Sequence, residues 1–212
     1  PIDLIKKDNL NTSELRLNSI LRIKEQRNFI GNSLKDYSSE DYIIHSDNDE
    51  IPNLEKFDLR SNKQKIIIFN QKLFYYKFNL CLPNVNWFGS KACRLKDLKN
   101  IDFLRATKNK KYPFYRVDTF FSNTKYTNIE IIDDGGWHFS NIKTAEQIEY
   151  KLKSYLHHRE FDLDPLTKNE IENIMKNKKA IYDLKVDKKI NKIGNGSKLI
   201  KFDFDKLPRF LK

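Results

Sequence analysis

Two cysteines, Cys81 and Cys93, are all the thiol chemistry in this chain. They are too few for a disulfide framework, and neither sits in a Cys-x-x-Cys pair, so they do not fix a compartment. The four histidines, His45, His138, His157 and His158, leave a hydrolytic triad few possible bases. A Gly-x-Ser-x-Gly elbow and a Gly-x-x-x-x-Gly-Lys phosphate loop are both missing, which removes the signatures of serine hydrolases and P-loop nucleotidases. No apolar run approaches the ~20 residues needed to span a bilayer, and nothing resembles a signal peptide. Acids are the minority charge, 29 against 40 basic residues, which leaves a net charge of +11.

That excess invites a nucleic-acid reading. Against it, 31 of the basic residues are lysine and only 9 arginine, spread along the whole chain. Bidentate recognition of phosphates and base edges favours arginine. Nucleic acid is therefore an unlikely main partner. With 39% apolar and 13% aromatic residues in 212, the chain should fold, and its length suits a single domain.

Alternation and propensity predict mixed strands and helices, hence an α/β fold. A helix is expected over Ser13 to Leu34, capped by Ser13, with Leu17, Ile20, Leu21, Ile30 and Leu34 as its apolar face. A strand at Tyr42–His45 and a short helix near Leu54–Phe57 follow. Lys65 to Leu82 reads as two strands joined by a turn at Asn70-Gln71-Lys72, with Pro83-Asn84 breaking the run. A short helix is expected over Lys96 to Arg105, and Pro113 to Phe121 reads as loop with some strand character. Ile129 to Phe139 is a strand system interrupted by Asp133-Asp134-Gly135-Gly136. Capping boxes at Thr144–Gln147 and Thr167–Glu170 start two helices, the first running to about His158.

Three segments carry candidate chemistry. In Ser46-Asp47-Asn48-Asp49-Glu50-Ile51-Pro52, a buried strand ends in three carboxylates within four residues. Ligands gather at the carboxyl ends of strands in α/β sheets, and Asp47 and Asp49 could turn towards one hard divalent cation and its phosphates. The plainer alternative is a polar turn in which Asp47 or Asp49 caps a helix, with Pro52 in its first turn. The second segment is Asp133-Asp134-Gly135-Gly136-Trp137-His138-Phe139-Ser140. There Trp137 could stack on a sugar or base and His138 could ligate a metal, or the segment is a glycine turn with Trp137 in the core. The third is His157-His158-Arg159-Glu160, a possible metal-binding helical face or an ordinary basic helix end.

Taken together, Ser46–Pro52, Gly136-Trp137-His138-Phe139-Ser140, and Lys151-Leu152 with His158 and Glu160 resemble glycosyltransferase family 17. Glu25-Gln26-Arg27-Asn28, Phe74-Tyr75-Tyr76, Trp87 with Gly89, and Leu207-Pro208 extend the likeness over roughly residues 20 to 212. The resemblance implies a GT-A-like nucleotide-sugar-binding sandwich with a mixed central sheet flanked by helices, N-terminally incomplete because the family's first strand and helix would precede Pro1. It implies a metal-dependent, inverting transfer of N-acetylglucosamine from UDP-GlcNAc to a glycan acceptor with β-1,4 linkage. Asp47 and Asp49 would hold Mn²⁺ or Mg²⁺ against the donor diphosphate, with His138 as a third contact. Asp47, Asp49, Trp137 and His138 would bind donor. Asp134, Glu160, Glu50 and Asp133 are the candidate bases. Acceptor-binding loops are expected at Pro83–Arg94 and Lys108–Thr124. A non-catalytic carbohydrate- or nucleotide-sugar-binding domain is the alternative.

Overall fold

The computed structural model describes residues 3–58, 60–154, 161, 164–182, 193, 194 and 196–211. The expected end of the third helix and the His157–Glu160 segment lie outside the described residues. The strands are β1 (Tyr42–His45), β2 (Glu50–Pro52), β3 (Ile66–Tyr75), β4 (Leu80–Arg94), β5 (Ile129–Ile132), β6 (Gly136–Ser140) and β7 (Ile200–Lys201). The helices are α1 (Thr12–Phe29), α2 (Ile101–Ala106), α3 (Ala145–Ser154) and α4 (Lys168–Lys176). All seven strands join one sheet in the order β1-β4-β3-β6-β2, with β5 beside β3 and β7 beside β4. The sheet is mixed: β5 runs parallel to β3, whereas β1 is antiparallel to β4 and β2 to β6. No helix among the described residues is long and apolar enough to cross a membrane.

The chain forms two compact units. The first consists largely of Ile20–Lys72 and Asn86–His138. Its core comes from the Ile66-Ile67-Ile68-Phe69 run of β3, in which successive side chains enter opposite faces. Ile66 and Ile68 pack with Cys93, Phe103, Leu104 and Ile129 on the α2 side. Ile67 and Phe69 pack with Ala92 on the other side. A strand covered on both faces reads as a continuous apolar run instead of an alternation. Each fully buried Ile, Leu or Phe side chain among them contributes about 1.5–3 kcal/mol by leaving water.

The second unit consists of Ile5–Ser19, Leu73–Val85 and the described residues from Phe139 onward. Phe74 packs on Phe139 and Phe202, and α3 packs on α4 through a unit core that includes Ile148, Leu152 and Ile171. Both expected capping boxes are present. The Thr144 hydroxyl accepts from Gln147 N and Gln147 Oε1 accepts from Thr144 N, and Thr167 and Glu170 repeat the exchange. Such caps are worth about 1 kcal/mol each.

Several expectations are corrected. Asn11, not Ser13, caps α1: its side chain accepts from Glu14 N while Glu14 accepts from Asn11 N. The expected apolar face of α1 is not a buried face. Leu17, Ile20 and Ile30 are exposed, and the buried residue is Asn18, whose amide pairs with both backbone groups of Ile5 at 2.9 Å. The helix ends at Phe29 and tightens into a 3-10 turn over Ile30–Leu34. Asn70-Gln71-Lys72 is not a turn, because β3 runs straight through it. The chain reverses after Tyr75, with Tyr76 in the left-handed region at φ 64°. Pro83-Asn84 does not end the run either. β4 continues to Arg94, with Asn84 at φ 59° absorbing the local irregularity, so Pro83–Arg94 is strand and not an acceptor loop. The expected Lys96–Arg105 helix is a 3-10 turn at Leu95–Asp97 and then α2.

Candidate functional site

The site lies wholly in the first unit and starts from the Asp47–Glu50 turn. Glu50 N donates to Asp47 O at 3.0 Å, while Glu50 Oε2 accepts from Asp47 N at 3.1 Å. The tetrapeptide therefore closes on itself and delivers Glu50 into β2. Neither Asp47 nor Asp49 caps a helix. Pro52 is in β2, and the 3-10 turn at Leu54–Lys56 is capped by Asn53, which overturns the helix-cap alternative.

Antiparallel pairing of β2 with β6 puts Glu50 opposite His138, Ile51 opposite Trp137 and Pro52 opposite Gly136. Gly136 has to be glycine. Its φ is +134°, and a Cβ there would lie 2.1 Å from Ile51 O. Glu50 and His138 share one face of the ladder and Trp137 the other, since neighbours along a strand alternate. Trp87 on β4 completes the group. Its indole lies 4.4 Å from the His138 ring, and its Nε1–H donates to Glu50 Oε1 at 2.9 Å. Gly89, two residues on, makes room for both neighbours: a Cβ would lie 2.2 Å from Gln71 Oε1 and 2.5 Å from Glu50 Cδ.

Arg105, at the end of α2, gathers the acids. It donates to Asp47 Oδ2 at 2.7 Å, to Gly89 O at 2.6 Å and to both Glu50 oxygens at 3.3–3.4 Å. Arg27 approaches the other Asp47 oxygen at 3.7 Å. The Glu50 side chain is 0% exposed, whereas those of Asp47 and Asp49 are 37% and 36% exposed. A carboxylate with no solvent must have its charge met by protein groups, and Glu50 has the indole, the guanidinium and Asp47 N. The two aspartates keep a face to water. Asp49 Oδ2 is 3.3 Å from His138 Nε2, and buried His138 Nδ1 has no hydrogen-bond partner among the described residues.

Behind Arg105 lies Lys91, 3% exposed and opposite His45 in the β1–β4 register. Its Nζ donates to the carbonyls of Arg105 at 2.8 Å and Thr107 at 2.5 Å, fixing the end of α2. Burial, aided by the nearby Arg105 charge, pushes the Lys91 ammonium down to about 8. Burial also lowers His45, against an opposing pull from Asp47. Half-buried Ser46 Oγ, buried Ser90 Oγ and the buried Gln71 amide form a polar chain alongside, at 2.6 and 3.0 Å.

The structure thus brings together Asp47, Asp49, Glu50 and His138. Asp133 and Asp134 lie on the exposed β5–β6 turn, where Asp134 (φ 50°) pairs with Lys72 and Asp133 accepts from Asn70 Nδ2 at 3.1 Å. Glu160 is outside the described residues. Sequence reasoning gave no role to Trp87 or Arg27, although both stand in matched segments, and it missed Arg105 and Lys91. A lone arginine at a helix end carries no signal until the fold places it beside the acids. Among the described residues no group of three or more His, Cys, Asp or Glu is gathered closely enough to hold a metal ion by itself. Asp47 and Asp49, the two water-facing carboxylates, are the donor type that Mn²⁺ and Mg²⁺ favour, with substrate phosphates and water filling the other positions. Comparison with protein-family models, curated proteins and solved structures finds no match to the chain.

Proposed function

We propose that the chain is a metal-dependent, inverting glycosyltransferase of the family 17 type on a GT-A-like frame. It would transfer N-acetylglucosamine from UDP-GlcNAc to a glycan hydroxyl, forming a β-1,4 linkage. One observation carries the reading. Segments matched separately for the resemblance, Asp47–Pro52, Trp87 with Gly89, and Gly136–Ser140, meet around Glu50: Trp87 and the Gly89 backbone lie at its carboxylate, and His138 stands opposite it in the β2–β6 ladder. Arg27, from the fourth matched segment, reaches Asp47. A chance match of short motifs gives no reason for such convergence.

In this reading Asp47 and Asp49 hold Mn²⁺ or Mg²⁺, with His138 beside them. When bound, the ion offsets negative charge developing on the departing diphosphate. Arg105 and Arg27 fix the Asp47 carboxylate and add positive charge where the phosphates arrive. Glu50 orients the turn. Its donors leave it no open lone pair towards an acceptor hydroxyl, so it is a positioning residue and not the base. The base takes the proton of the acceptor hydroxyl as that oxygen displaces UDP from the anomeric carbon. Asp134, Asp133 and Glu160 are its remaining candidates. Trp87, on the His138 face, replaces Trp137 as the aromatic beside the donor.

A second reading, a nucleotide-sugar-binding domain without turnover, draws on the ion pairs that already match the Asp47 charge. A UDP-release assay over a donor panel with Mn²⁺, run beside calorimetry, separates the two. Release that is abolished by EDTA and by Asp47→Ala or Asp49→Ala supports the transferase. Donor binding without release selects the second reading. Neither heat nor release with any donor overturns both.

A further inference from the structure

Among the described residues, the most exposed aromatic side chains outside the termini lie together on the loop that follows α2. Phe114, Phe120 and Phe121 are 84%, 78% and 86% exposed, and Tyr115 and Val117 are exposed beside them. The loop begins at Lys108, three residues after Arg105. It is closed at its base by Lys108 N donating to Thr124 O at 2.7 Å. Its shape is kept by polar groups. Arg116 forks onto Asp118 with two bonds of 2.7 Å, Lys125 reaches the same carboxylate at 2.9 Å, and Ser122 Oγ accepts from Thr124 N and Lys125 N. The phenyl rings contribute little to that scaffold and stand in water, an arrangement that costs hydrophobic free energy unless something covers them.

We propose that the Lys108–Lys125 loop seats the protein on an anionic lipid surface. Five cationic side chains, Lys108, Lys110, Lys111, Arg116 and Lys125, share the loop with one carboxylate, Asp118. Lys111 lies 3.7 Å from Glu130, while Lys108 and Lys110 are exposed, the latter over the Tyr112 ring. Bare phenyl rings beside lysines suit the boundary between headgroups and acyl chains: the rings enter the apolar edge while the ammonium groups stay among anionic headgroups. The chain's overall charge of +11 acts in the same direction at longer range. Single-stranded nucleic acid also binds aromatic and cationic groups, but phosphate recognition there relies on arginine forks and a groove. The loop's only arginine is already engaged bidentately by Asp118. This inference does not rest on the transferase reading.

Flotation with vesicles tests it, using phosphatidylcholine alone or in equimolar mixture with phosphatidylserine. The protein should float with the mixed vesicles, remain below with phosphatidylcholine alone, and detach as salt is raised. Lys108→Glu with Lys110→Glu should weaken the partitioning about tenfold or more. Phe120→Ser with Phe121→Ser should weaken it even at low salt. All four side chains are exposed, and circular dichroism should show both variants folded as wild type. Failure to float with the mixed vesicles overturns the proposal, and so does flotation that neither variant reduces. Binding of single-stranded poly(U), lost in both variants and without vesicle binding, overturns it in favour of a nucleic-acid partner.

Discussion

Two acidic turns join neighbouring segments of the first unit, and their sequences look alike: Asp47-Asn48-Asp49-Glu50 and Asp133-Asp134-Gly135-Gly136. Their surroundings differ sharply. Glu50 is sealed from water and held by an indole, a guanidinium and a backbone amide, whereas both acids of the second turn face solvent and meet Lys72 and Asn70. Charge pattern alone therefore does not mark a site. The discriminating feature is whether distant elements, here β4, β6 and α2, bring complementary groups to the carboxylates.

The largest expected effect tests that contrast directly. Glu50→Ala leaves the Trp87 indole N–H and the Asp47 amide without their acceptor and takes one of two carboxylates from Arg105, which should cost about 3 kcal/mol. Urea unfolding measures it, and a loss below 1 kcal/mol would make the two turns equivalent. Gly89→Ala acts on the same place from the other side. Its Cβ would lie 2.2 Å from Gln71 Oε1 and 2.5 Å from Glu50 Cδ, and the overpacking should cost about 1–3 kcal/mol. A thermal melt of this variant should fall even though no polar group has been removed.

A subtler test uses pH. The Lys91 ammonium is held at about 8 in the folded chain, against an ordinary lysine value of 10.5. Between these values the unfolded chain binds more protons, so this group's contribution to stability rises with pH, and below about 8 it is flat. The slope approaches roughly 1.4 kcal/mol per pH unit. Cys93 works oppositely at higher pH, because burial raises its thiol to about 12 and the unfolded thiol ionises first. The readout is therefore wild type minus Lys91→Met across pH 8 to 10, where the rise should vanish in the variant. The smallest effect belongs to the second turn. Asp134→Asn removes an exposed ion pair but keeps a residue that tolerates φ 50°, and should change stability by about 0.5 kcal/mol or less. A collapse of UDP release in this stable variant would identify Asp134 as the base, and unchanged release would remove it from the candidates.

What was legible in the sequence follows from how local each signal is. β1 was readable at its observed bounds, and both capping boxes were readable too, because each depends on neighbours within a few residues. The turn assigned to Asn70–Lys72 failed for a non-local reason. Gln71 is polar yet 1% exposed, satisfied by Ser90 on the adjacent strand, so a buried strand residue imitates a turn residue. The α1 face failed similarly, since Asn18 and not a leucine is the residue that packs. At the site, the Asp-x-Asp and Gly-Trp-His segments stood out, but their partners did not. Arg105 and Lys91 acquire meaning only when α2 docks on the sheet, and no spacing in the chain encodes that.

The Glu50–His138 pairing also bears on how the chain reaches its native state. The two residues stand opposite each other in the ladder although 88 positions separate them in the chain (138 less 50). Closing a loop of that length costs about 4 kcal/mol of chain entropy, and contacts of such separation form slowly. During synthesis the acidic turn emerges well before β6, and until β6 arrives Glu50 lacks the strand that closes it in. The site is therefore a late product of folding, and an amide-exchange pulse during refolding should find β2 protected after the β3 core.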